Sequence, residues 1–146
     1  MNSGDSMSIL LVDDNAGDRL LIRMAFQGDP ALAGLPLHEA ANGRACLDLL
    51  ARPDENPIGG RPALVLLDLN MPGLSGFEVL DRLQADADTR SVPVIVLTSS
   101  DQDGDIATSL DHGAVEVLCK PLDPDRLKRA LRRLGGDWRH RLDPAP

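Results

Sequence analysis

Five side chains capable of chemistry stand directly after short apolar runs in this chain. Ile9-Leu10-Leu11-Val12 leads into Asp13-Asp14, and Ala63-Leu64-Val65-Leu66-Leu67 leads into Asp68. Pro93-Val94-Ile95-Val96-Leu97 leads into Thr98, and Val115-Glu116-Val117-Leu118-Cys119 into Lys120. If these runs are strands of one parallel sheet, their polar ends meet in the crevice where open α/β sheets bind ligands. Three carboxylates brought together repel, and a proton or a cation must relieve that cost. Mg²⁺ (or Mn²⁺) takes hard oxygen ligands from a few carboxylates and fills its remaining positions with carbonyls, waters or phosphate oxygens. Asp13, Asp14 and Asp68 suit such a site, with Asn70 offering its backbone carbonyl. A carboxylate oxygen can also attack a phosphoryl group. Asp68 is the candidate acceptor, with Lys120 as a point charge on a phosphoryl oxygen and Thr98 as a hydroxyl donor.

These residues need a scaffold that alternates strands with helices. After Asp13-Asp14, Ala16, Leu20, Met24 and Ala25 recur at helical spacing to about Gln27, and Gly28-Asp29-Pro30 ends the run. A weaker strand spans Leu35 to Ala41, and a short helix spans Arg44 to Ala51 with Leu47, Leu49 and Leu50. Residues 52–62 hold Pro53, Pro57, Gly59, Gly60 and Pro62 and form a long loop, read as an ordered excursion rather than a linker. Asn70-Met71-Pro72-Gly73 is a turn. Gly76 to Ala85 is a helix with Phe77, Leu80 and Leu83 on one stripe. Asp101 to His112 is a polar helix carrying Ile106, Ala107 and Leu110. The last helix starts at Asp123 or Pro124, carries Leu127, Ala130, Leu131 and Leu134, and stops at Gly135-Gly136. This alternation predicts an α/β fold: a doubly wound five-stranded parallel sheet of flavodoxin-like order 2-1-3-4-5 with helices on both faces. That order brings Asp13-Asp14 beside Asp68. The expected boundaries are a disordered tail at 1–7, one domain at 8–135 and an extension at 136–146.

Composition narrows the function. With 146 residues the chain suits one domain, and with two Phe, one Trp and no Tyr its core must be aliphatic. No apolar run approaches the roughly 20 residues of a membrane span, and no secretory signal is visible at the N-terminus. Cys46 and Cys119 read as small core residues rather than a disulfide or zinc framework. A cytoplasmic location is expected, with no membrane partner. A net charge of −8 argues against nucleic-acid binding. The charge is uneven: residues 120–146 hold 8 basic and 4 acidic side chains, while the first 119 hold 7 and 19.

Taken together, Leu11-Val12-Asp13-Asp14-Asn15, Asp68-Leu69-Asn70-Met71-Pro72-Gly73-Leu74-Ser75-Gly76, Leu97-Thr98-Ser99 and Lys120-Pro121 resemble the motifs of the response regulator receiver domains of two-component signalling. The resemblance covers about residues 8–135. It implies that Asp68 is the phosphoacceptor, that Asp13 and Asp14 form the Mg²⁺ pocket, that Thr98 is the switch hydroxyl and that Lys120 senses the phosphate. The implied phosphodonor is a sensor histidine kinase or a phosphotransfer protein. The 52–62 loop, the sequence around Asp68 and the Asp137-Trp138 ending further resemble stand-alone regulators paired with bacterial phytochrome kinases, which are often dimeric. With no output domain expected after the last helix, the expected output is protein–protein contact, onward phosphotransfer or a change in dimerisation. The chain departs from the family at Val117, where an aromatic is usual three residues before the lysine.

Plainer roles exist for the same residues. Asp13, Asp14 or Asn15 could cap the following helix, Asp68 could serve a turn, and Thr98 could be an ordinary strand residue. His38, His112 and His140 show no ligand spacing. A magnesium-dependent phosphatase of the haloacid dehalogenase type would need an acid two residues after its nucleophile, where this chain has Asn70. A receiver that binds without being phosphorylated is the third reading. Asn70 and Ser100 stand where the family tunes phosphoryl lifetime.

Overall fold

The computed structural model describes residues 7–52, 54–55, 57–99 and 103–143. Its strands are β1 (Ile9–Val12), β2 (Leu37–Ala40), β3 (Leu64–Asp68), β4 (Val94–Thr98) and β5 (Glu116–Cys119). Its helices are α1 (Ala16–Gln27), α2 (Gly43–Ala51), α3 (Gly76–Ala85), α4 (Asp103–Asp111), α5 (Pro124–Leu134) and α6 (Gly136–Leu142). The sheet is parallel throughout, in the expected order β2-β1-β3-β4-β5.

Strand alternation divides the core in two. Ile9, Leu11, Leu64, Leu66, Ile95 and Leu97 face α1, α5 and α6, where Ile22, Phe26, Leu127, Leu131, Trp138 and Leu142 pack on them. Leu10, Val12, Val65, Leu67, Val94 and Val96 face α2 and α3, meeting Cys46, Leu50, Val79, Leu80 and Leu83. Central strands covered on both faces must be apolar at every position, which is why the runs before Asp13, Asp68 and Thr98 show no polar alternation. His112, just past α4, bonds Asp81 of α3 through its Nδ1 and stacks at a tilt on Phe77, tying the end of α4 to the α3 side.

Two helical stripes differ from expectation. In α1 the buried residues are Ile22 and Phe26, while Leu20, Leu21 and Met24 are 56–60% exposed. This helix carries apolar residues on two faces, so spacing alone fits either phase, and the bulk of Phe26 decides which face meets the sheet. In α4 Leu110 is exposed and Ala107 faces solvent, while Ser109 is buried and bonds the Asp105 carbonyl. A serine can replace an apolar residue there because its hydroxyl is satisfied within the helix.

The segment after Gly135 continues as α6 and returns to the domain. Gly135 and Gly136 have φ of 71° and 55°, a reversal that glycine makes without strain, and it lets Trp138 and Leu142 join the core beside α5. Met7 packs against the same cluster. The 52–62 loop anchors itself through buried Ile58, and its Arg61 pairs with Asp88 at 3.5 Å. Residues 1–6 of the tail expected at 1–7, and the roles expected of Asp101 and Ser100, fall outside the described residues. Among the described residues no helix is long and apolar enough to cross a membrane.

Candidate functional site

The carboxyl ends of β1, β3, β4 and β5 form one edge, and each delivers its polar residue by a local device. Val12 ends β1, and Asn15 caps α1 by accepting from the Asp18 N–H at 2.9 Å. The cap role falls to Asn15, which leaves the carboxylates of Asp13 and Asp14 at the strand end. Asp13 is held from three sides. Its N–H donates to the Ala40 carbonyl, its carbonyl accepts from Arg19, and its Oδ1 accepts from the Asn15 N–H. Asp13 is fully buried, while Asp14 is exposed.

Asp68 closes β3 and is 5% exposed. The turn after it is fastened by Leu69 N–H to the Leu97 carbonyl and by Gly76 N–H to the Leu69 carbonyl. A Cβ on Gly76 would lie 2.8 Å from Leu69 Cα and 2.9 Å from the Asp68 carbonyl oxygen, so only glycine allows α3 to start so close beneath the acid. Ser75 and Glu78 form a reciprocal capping box at that start. The Asn70 N–H donates to Asp68 Oδ1 at 3.2 Å, and Asn70 itself is exposed.

Thr98 ends β4 fully buried, one position past Leu97, which pairs with Asp68. It continues the phase of Val94 and Val96, toward the side of α2 and α3. Its carbonyl accepts from the Lys120 N–H at 2.7 Å, fixing β5's end against β4. The Lys120–Pro121 peptide is cis. Val117, where an aromatic was expected from the family, is half-buried against the α2–α3 core.

These devices bring ligand oxygens of Asp13, Asp14 and Asp68 within 4.8 Å of one another. The Lys120 ammonium sits among the acids, 2.8 Å from Asp13 Oδ2, 2.9 Å from Asp18 Oδ2 and 3.5 Å from Asp68 Oδ1. Burial makes ionisation of Asp68 costly. The Lys120 charge opposes that effect and the neighbouring Asp13 reinforces it, and the carboxyl is pushed up to about 6. For Lys120 burial favours loss of the proton, but hydrogen bonds to Asp13 and Asp18 and the charge of Asp68 outweigh it, holding the ammonium well above the ordinary lysine range. Three carboxylates gathered beside the Lys120 ammonium fit a hard divalent cation.

Asp13, Asp14, Asp68, Asn70, Thr98 and Lys120 therefore lie at one edge of the sheet. Asp18 was missed. In the sequence it reads as an acid in the first turn of a helix, which the helix dipole alone would explain; its position one turn after Asp14 is the signal that could have placed it at the same edge. Beside the acids, a cavity of about 460 Å³ opens between α1 and the β5–α5 turn, lined by Asp18, Leu21, Ile22, Ser99, Lys120, Pro121 and Leu122.

Comparison with known proteins converges on one family. The family model described as "Response regulator receiver domain" matches residues 9–132. The "Probable methanogenesis regulatory protein FilR2" of Methanothrix harundinacea (strain 6Ac) is 36% identical over 140 residues, covering 94% of this chain and 87% of that protein. The chain spans about half the length of several other curated relatives. Among solved structures, the bacteriophytochrome response regulator AtBRR aligns with a TM-score of 0.77 at 32% identity, over 89% of this chain and 93% of that one. The Mn²⁺-bound form of response regulator Rcp1 aligns with a TM-score of 0.70 at 28% identity, over 96% and 97%.

Proposed function

The chain belongs to the response regulator receiver domain family of two-component signalling, and from that premise we propose that Asp68 is its phosphoacceptor, served by a divalent cation at Asp13, Asp14, Asp68 and the backbone carbonyl of Asn70. The observation that carries this reading is the gathering of three carboxylates within 4.8 Å beside one ammonium. Mg²⁺ or Mn²⁺ bound there would offset the carboxylate charge and that of the phosphoryl oxygens.

The chain's own residues do the rest. The Asp68 carboxylate oxygen attacks the phosphorus of a phosphohistidine. The new bond is P–O, the bond broken is P–N, and the imidazole leaves with the electron pair and takes up a proton. Asp68, pushed up to about 6, is largely ionised at neutral pH and so available as a nucleophile. Its carboxylate is held by the Asn70 N–H and by the turn at Gly76, and positioning supplies most of the catalysis in phosphoryl transfer. Lys120 pairs with a phosphoryl oxygen. Thr98 turns its hydroxyl toward that group, biasing the domain between two states. With Val117 in place of an aromatic, the accompanying movement at β5 must use a smaller side chain.

The phosphodonor is a sensor histidine kinase or a phosphotransfer protein. Support for the seat of a donor helix comes from Leu20, Leu21 and Met24, exposed on α1 beside the 460 Å³ cavity. The likeness to AtBRR supports a phytochrome kinase as the narrower choice. The chain is then a phosphorylated signalling protein that catalyses its own Mg²⁺-dependent phosphorylation and dephosphorylation. The test is incubation with acetyl phosphate and Mg²⁺ followed by peptide mapping. An acyl phosphate on the peptide containing Asp68, absent in Asp68→Asn and with EDTA, is the expected result. Label on another residue, or label that survives Asp68→Asn, refutes it.

A further inference from the structure

We propose that Asp18 is a positioning residue that competes with the Asp68 phosphoryl group for the Lys120 ammonium, and so slows phosphoryl uptake. The inference rests on Asp68 being the phosphoacceptor and adds a residue to that reaction.

Lysine has three donors and no acceptor. In the resting site two of them are committed at good hydrogen-bond distance, to Asp13 Oδ2 at 2.8 Å and Asp18 Oδ2 at 2.9 Å. The contact with Asp68 Oδ1, at 3.5 Å, is longer than a hydrogen bond of this type. The ammonium thus leans away from the residue that receives the phosphoryl group. The two acids holding it are not equivalent. Asp13 belongs to the three carboxylates that come within 4.8 Å of one another, and Asp18 does not. A cation held by those three would draw on Asp13 and leave the Asp18 contact in place. Among the described residues Asp18 pairs with Lys120 alone, since its neighbour Arg19 is spent on Glu39 and on the Asp13 carbonyl. The two short bonds hold the ammonium 3.5 Å from Asp68, so bringing it to hydrogen-bond distance of a group on Asp68 works against the Asp18 contact.

The Asp18 carboxylate is 38% exposed on the cavity wall beside the acids, so losing Lys120 does not strand a buried charge. That makes the contact reversible. An acid fully buried with Lys120 would hold it permanently, and a fully solvated one would barely compete.

The experiment compares initial rates of Asp68 phosphorylation by acetyl phosphate at saturating Mg²⁺ in wild type, Asp18→Asn, Lys120→Gln and the double variant. In each case the bond from phosphorus to the acyl oxygen breaks, the bond from phosphorus to Asp68 forms, and acetate leaves with the electron pair. Asparagine keeps the size of the side chain and removes its charge. The expected result is a rate about threefold to fivefold higher in Asp18→Asn, the size of one partly exposed ion pair, with no gain from Asp18→Asn when Lys120 is already Gln. The resting Asp18→Asn protein should also show a moved ε-methylene resonance for Lys120. An equal or slower rate in Asp18→Asn overturns the proposal. So does a gain that persists in the Lys120→Gln background, which would make Asp18 a simple repeller of anions, or an unmoved Lys120 resonance. Wild-type protein that takes no label defeats the phosphoacceptor reading itself and the proposal with it, a result distinct from a labelled wild type with an unaltered variant.

Discussion

Replacing Asp68 by Asn should stabilise the metal-free protein, although it removes the residue on which function depends. Asp68 is buried beside Asp13, and the site's one ammonium gives its two hydrogen bonds to Asp13 and Asp18. Its carboxyl moves from an ordinary 3.8 to about 6. Below about pH 4 the group is protonated in the folded and the unfolded chain and costs nothing. Between about pH 4 and about pH 6 the unfolded chain has released the proton while the folded chain keeps it, so stability falls as pH rises. Above about pH 6 both forms are ionised and the deficit is complete. A shift of that size corresponds to about 3 kcal/mol before solvent screening. Asp68 lies at a solvent-facing edge, so about 1–2 kcal/mol is the expected size. For a domain of this length that is about 3–6 °C in Tm. Asparagine keeps the acceptor for the Asn70 N–H and leaves Lys120 its two shorter bonds. The assay is thermal unfolding in EDTA at pH 7.5 and at pH 4.5. Asp68→Asn should melt higher at pH 7.5, with the gain shrinking to about a third near pH 4.5. With millimolar Mg²⁺ the order should narrow or invert, because the cation stabilises by binding and the variant has lost a ligand. A variant that melts lower in EDTA at pH 7.5, or a gain independent of pH, would refute the electrostatic reasoning.

Lys120→Met should cost the metal-free protein about 3 kcal/mol, because it leaves fully buried Asp13 without a cation; urea unfolding measures this, the loss should shrink with Mg²⁺, and a neutral effect would contradict it. Gly76→Ala should cost about 1–3 kcal/mol through overlap with Leu69 and the Asp68 carbonyl, and should slow labelling of Asp68; an unchanged melt would show that α3 can retreat. Trp138→Ala should cost about 3–5 kcal/mol, since its ring is 5% exposed in the core under α5 and α6; circular dichroism melts read it, and a loss below about 0.5 kcal/mol would show that α6 is not docked.

The fold and the site differed in how far the sequence disclosed them. Three strands buried on both faces produced uninterrupted apolar runs, so Ile9–Val12, Leu64–Asp68 and Val94–Thr98 were legible along with the polar residue that ends each. The sheet order followed from alternation and from the need to bring the acids together. The phase of α1 did not follow, since Leu20 and Met24 keep the same spacing as Ile22 and Phe26 and only the sheet distinguishes them. The helix after Gly135 was obscured by the two glycines that make its turn possible. Asp18 was hidden for a different reason. An acid in a first turn already has a local explanation, and its partner Lys120 lies 102 positions away. Long-range pairs of this kind leave no periodic trace, and they are where the structure adds most to the chemistry.

The most direct measurement of the central claim is an anomalous-scattering map from crystals grown with Mn²⁺. One strong peak is expected, ligated by carboxylate oxygens of Asp13, Asp14 and Asp68 and by the Asn70 carbonyl, with the Lys120 ammonium beside it. A peak seated elsewhere, or none at these residues under saturating Mn²⁺, would contradict it.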